Sequence, residues 1–106
     1  MATLRKGNTA TLFDNVTDGT SAVLEISDSV GSLTLYGIWP FGSTGTIIIE
    51  TAPTEAYDGD WHLLATVMSN TNTGDSTVAF APGQVLFVRG RIVASGGPMS
   101  ALLVAR

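Results

Sequence analysis

The sequence predicts an all-β fold, an antiparallel β-sandwich or jelly roll of about eight strands. Three observations predict it. Apolar and polar residues alternate with a period of two along several stretches, the pattern of a strand with one buried face. Turn signals rich in Gly, Pro, Asn and Asp separate these stretches at short intervals. Helix-forming runs of Ala, Leu, Glu and Lys are absent, and Lys6 is the single lysine.

Residues 1–7 are expected as an N-terminal arm carrying Arg5 and Lys6, ahead of one domain over 8–106. The first strand is expected over 8–14. Asp18-Gly19 turns the chain into the second, 20–27, where Ala22, Leu24 and Ile26 face one way and Ser21, Val23, Glu25 and Ser27 the other. The third, 31–39, follows a turn from Asp28 to Gly31. It sets Leu33, Leu35 and Trp39 opposite Ser32, Thr34 and Tyr36. Pro40 to Gly45 ends that strand, with Phe41 able to fold back over the core edge. The fourth, 45–51, has Ile47, Ile48 and Ile49 in succession. A strand apolar on both faces is either central and covered or at a subunit contact, which makes Ile47 and Ile49 interface candidates.

Asp58-Gly59 is a hairpin signal that leads into the fifth strand, 60–68. Alternation groups Trp61, Leu63, Ala65 and Val67, and leaves His62 with Leu64, Thr66 and Met68. Trp61 is therefore expected as a core anchor and His62 as a packed or interface side chain. A turn from Asn70 to Asp75 precedes the sixth strand, 76–81, and Pro82-Gly83 precedes the seventh, 84–94. There Leu86, Val88 and Ile92 line one face; Val85, Phe87, Arg89 and Arg91 line the other. Gly96-Gly97-Pro98 leads to the last strand, 99–105, with Leu102, Leu103 and Val104 again apolar on both faces.

Charged residues make up 13% of the chain, against about 25% in typical soluble domains. Mean hydropathy is +0.31. Two readings account for this. One is a Thr/Ser-rich β-domain that is soluble without many charges. The other is a chain that hides much of its surface in an assembly. The two doubly apolar strands favour the second, since a small sandwich covers only the inner face of each sheet.

Several function classes are excluded or disfavoured. The net charge is -4, and Arg5, Lys6 and Arg106 lie at the ends, so no basic stripe exists for nucleic acid. No run of about 18 apolar residues is present, so no membrane span is expected, and no signal peptide is read at the start. The absence of cysteine removes disulfides and thiolate metal sites. One histidine rules out a His-rich metal site, and no nucleophile elbow or phosphate loop is present. The acidic pair Asp58 and Asp60 lacks the further oxygen ligands of a calcium loop. Neither catalysis nor a cofactor is expected. Tyr36, Trp39, Tyr57 and Trp61 suit a carbohydrate platform in residue type, but both tryptophans read more readily as core anchors.

The order of features is distinctive. "LTLYG" (33–37) leads through a Gly-rich turn to "GTIIIETAPTEAYDGDWHLLATV" (45–67), with Asp-Gly before a Trp. "AFAPGQVLFVRGRIVASGGPMSALLVAR" (79–106) follows, with a Val-Arg-x-Arg strand and Gly-Gly before a final apolar strand. Over residues 33–106 this resembles small β-sandwich domains of tailed-bacteriophage virion proteins, of the capsid decoration (cement) type. The matched positions, Asp58, Gly59, Trp61, Arg89, Arg91, Gly96 and Gly97, are structural in that pattern, and no catalytic residue is carried over. The resemblance implies a stand-alone decoration protein on the capsid surface, a homotrimer whose partner is the major capsid protein. A glycan-binding module of a tail or secreted protein is the alternative. Arg5 and Lys6 are then candidates for capsid contact, and Arg89 and Arg91 for ion pairs with Glu25 or Glu50, within or between subunits.

Overall fold

The alternation read along the chain resolves into paired strands in a computed structural model, which describes residues 2–40, 43–69, 75–80 and 87–106. Nine strands form among these residues, and no helix does. They are β1 (Ala2–Leu4), β2 (Thr9–Val16), β3 (Leu24–Ile26), β4 (Leu33–Ile38), β5 (Gly45–Ala52), β6 (His62–Ser69), β7 (Asp75–Phe80), β8 (Phe87–Ser95) and β9 (Met99–Ala105). The turns read at 70–75 and 82–83, the fold-back of Phe41 and the start of the 84–94 strand lie wholly or partly outside the described residues.

A five-stranded sheet has the order β1-β3-β8-β5-β6, and a four-stranded sheet the order β2-β9-β4-β7. From β2 onward, every connection except β5 to β6 crosses from one sheet to the other. Eight strands wound this way form a jelly roll, so the predicted fold class holds. β1 is an addition that pairs parallel to β3; the other pairings are antiparallel.

The core lies between the sheets. β9 is buried at every second residue, with Met99, Ala101 and Leu103 fully enclosed. β4 contributes Leu33 and Leu35, both at 0% exposure, as its period of two requires. β5 and β8 supply Ile47, Ile49, Val88 and Ile92 from the other sheet. Each large aliphatic side chain enclosed this way contributes about 1.5–3 kcal/mol. Trp39 is the expected core anchor and is 3% exposed. Its ring lies on Gly37, where any β-carbon would collide with it. Glycine is thus required there for close approach rather than for conformation.

Three expectations are corrected. The expected arm over 1–7 is not found for its described part, 2–7: β1 pairs with β3, and Leu4 reaches the core at 3% exposure. The hydrophobic gain from Leu4 and the free edge of β3 explain the ordering. Arg5 and Lys6 consequently sit in the short β1–β2 turn, where Asn8 N donates to Arg5 O at 3.0 Å and Gly7 takes a φ of 88°. Ile47 and Ile49 are core residues rather than interface residues, because their phase of β5 faces the opposite sheet. Ile48 is the outward member of the three.

The third correction concerns Trp61. β6 carries one extra residue against β5: Ile49 pairs with Ala65, but Glu50 pairs with Leu63, leaving Leu64 in a β-bulge. Ala65 and Val67 point into the core and Leu64 packs against its edge. The bulge reverses the phase of everything before it, so Leu63 turns outward and is 62% exposed. Trp61 follows the same reversed phase and lies outside the core cluster.

Candidate interaction surface

The outer face of the five-stranded sheet collects three of the residues singled out above, Trp61, Arg89 and Arg91. Along β5 the outward row is Thr46, Ile48, Glu50 and Ala52, alternating with the core residues Ile47 and Ile49. The register of β8 sets Arg91 opposite Ile48, Arg89 opposite Glu50 and Phe87 opposite Ala52. The register of β6 adds Met68 opposite Thr46 and, through the bulge, Leu63 opposite Glu50. Paired residues share a face, so all of these project to the same side.

Glu50 is the centre of this face. Its side chain keeps only 4% of its accessible surface. Arg89 Nε donates to Glu50 Oε1 at 2.8 Å, and Arg91 Nε donates to the same oxygen at 3.2 Å. A terminal nitrogen of Arg91 donates to Oε2 at 3.5 Å. A carboxylate this enclosed is tolerable because charged donors occupy both oxygens. Two guanidinium groups against one carboxylate leave one positive charge in excess, on a chain whose net charge is -4. Arg91 is the more open of the pair, at 43% side-chain exposure against 27% for Arg89.

Arg89 also covers Trp61, its guanidinium carbon 4.1 Å from the ring centroid. The planar cation and the ring face attract through the ring quadrupole. Trp61 Nε1 donates to the Tyr57 carbonyl at 3.2 Å, which closes the loop between β5 and β6 on itself. Within that loop the Tyr57 ring lies over Gly59, where a β-carbon would be 2.6 Å from it. Glu55, Asp58 and Asp60 remain exposed on the loop, as does His62 at the start of β6. Leu63 and Met68, at 62% and 48% exposure, are open apolar side chains of this surface, which also carries Ile48, Ala52 and Phe87.

The structure therefore brings Trp61, Arg89 and Arg91 together, with His62 beside them in sequence. It does not bring in Arg5 and Lys6, which follow β1, the strand at the opposite edge of the sheet. Of the two carboxylates offered as arginine partners, Glu50 is the one used; Glu25 instead accepts from Thr3 Oγ1 at 3.3 Å. The four aromatic residues do not form one platform. Trp39 is enclosed in the core and Tyr36 projects from the outer face of the other sheet, while Tyr57 and Trp61 are engaged within the loop. Leu63 was missed as a surface residue because alternation alone places it with Ala65 and Val67. Among the described residues, no three His, Asp or Glu side chains stand where they can share a metal ion.

No family model matches the sequence, and no curated protein matches it. Solved structures do share the fold. The SPBc2 prophage-derived protein YomS superimposes with a TM-score of 0.66 at 13% identity, over 92% of this chain and 90% of that one. The K1 cleaved adhesin domain of Lys-gingipain from Porphyromonas gingivalis gives a TM-score of 0.53 at 14% identity, over 92% of this chain and 72% of that domain. At these identities the likeness is one of fold.

Proposed function

We propose that this chain is a bacteriophage structural protein, a capsid decoration (cement) protein that self-associates, as a homotrimer, and binds the major capsid protein at the capsid surface. The observation that carries the reading is the shared fold with a prophage-derived protein along nearly the full length of both chains. The outer face of the five-stranded sheet fits the role. It offers apolar side chains, an arginine with spare donors and a tied-down acidic loop. A decoration protein acts by burying surface against neighbouring subunits, so that dissociating one capsomer requires breaking contacts to several.

Co-sedimentation with purified capsids tests this. Binding at fixed stoichiometry, with a higher temperature of capsid disruption, is the expected result. A chain that stays in the supernatant with every capsid tried overturns it. The competing reading, a glycan-binding module of a tail or secreted protein, predicts binding on a polysaccharide array that Trp61→Ala abolishes while the fold persists.

A further inference from the structure

We propose that copies of this chain pack on one another through the outer face of the five-stranded sheet. The acidic 53–60 loop of one copy sits against Arg91, Leu63 and Met68 of the next. The inference rests on the self-association proposed above and specifies its surface.

The charges favour a second copy as the occupant. The 53–60 loop carries Glu55, Asp58 and Asp60, all exposed, and no cation. Arg91 lies opposite Ile48, five residues before the loop begins at Pro53, or about 16 Å along β5. That exceeds the screening length of about 8 Å at physiological salt, so a chain's own loop does little to neutralise its Arg91. The same loop on a neighbouring copy can reach it directly. Arg91 has spare N–H groups for this, because Glu50 takes its closest contact from Arg89.

The apolar residues and the shape agree. Leu63 and Met68 are exposed on a sheet face, and are left in water unless a neighbour covers them. The molecule measures 38 × 29 × 19 Å, so one broad face accommodates the roughly 800 Å² per partner that a stable contact buries. The Trp61–Tyr57 hydrogen bond and the packing of Tyr57 on Gly59 hold the loop in one shape, so little ordering cost remains on docking. The loop-to-Arg91 pairing repeats equally well in both directions about a two-fold axis or head-to-tail around a closed ring, a trimer among such rings.

Light scattering and analytical ultracentrifugation on the intact chain test this. The unsubstituted chain is expected to be oligomeric. The double substitution Asp58→Lys with Asp60→Lys, and separately Arg91→Glu, are expected to reduce the mass to that of the 11.0 kDa monomer. All three substitutions in one chain restore the oligomer by reversing both sides of the pair. Should Arg91→Glu unfold the chain through repulsion with Glu50, the loop variant decides alone, since Asp58 and Asp60 are exposed. A monomeric unsubstituted chain overturns self-association itself. An oligomer indifferent to the loop variant leaves self-association standing and overturns this surface.

Discussion

Arg89 is held between Glu50 and Trp61: its Nε is 2.8 Å from Glu50 Oε1 and its guanidinium carbon 4.1 Å from the centre of the Trp61 ring. A strand residue, its cross-strand partner and a loop anchor are thereby fixed by one side chain. The tryptophan serves this face rather than the core, and its substitution should be read accordingly.

Trp61→Ala is expected to lower stability by about 1–2 kcal/mol, the scale of a cation–π contact plus partial burial. The variant stays folded. Urea denaturation followed by far-UV circular dichroism checks this. A loss as large as that for a core tryptophan, about 3–5 kcal/mol, would show that the ring anchors the core after all.

Glu50→Gln should cost more than Arg91→Gln. Removing the enclosed carboxylate leaves two guanidinium groups adjacent and unpaired, for a loss of about 2–3 kcal/mol once the partial exposure of both arginines is discounted. Arg91 is 43% exposed, so its removal costs about 1 kcal/mol or less. Denaturation midpoints of the two variants, measured side by side, give the order; the reverse order would refute Glu50 as the centre of the cluster.

Leu4→Ala is expected to destabilise by about 2–4 kcal/mol, as truncation of a core leucine does. An N-terminal arm would be indifferent to it. A thermal melt distinguishes the two, with an unchanged midpoint favouring the arm.

Gly37→Ala places a methyl group on the Trp39 ring and 3.0 Å from Val67. The ring must shift, at about 1–3 kcal/mol for overpacking. A change in near-ultraviolet circular dichroism together with a lower midpoint is expected. An unaltered spectrum would mean that the ring does not rest on Gly37.

Much of the fold was legible because burial and backbone pairing impose the same period. Leu33, Leu35 and Trp39 were grouped correctly, as were Val88 and Ile92 opposite Arg89 and Arg91, since nothing interrupts the alternation there. β1 was not legible: three residues are too few to show a period, and Leu4 is buried only because β3 offers a free edge. For the candidate surface, Arg89, Arg91 and Trp61 were identified as residues, but their arrangement was not.

By itself, the sequence determined an all-β sandwich and the inward phase of its regular strands among the described residues, because these depend on neighbours along the chain. Only the tertiary structure decided which face Leu63 and Trp61 occupy and which carboxylate Arg89 meets. A bulge is an unpaired residue, defined by its partner strand, so Leu64 carries no local mark of it. Glu50 and Arg89 are 39 residues apart, and only the pairing of β5 with β8 brings them into contact. The stacking of the two sheets turned Ile47 and Ile49 from interface candidates into core, and left Ile48, between them, on the outer face.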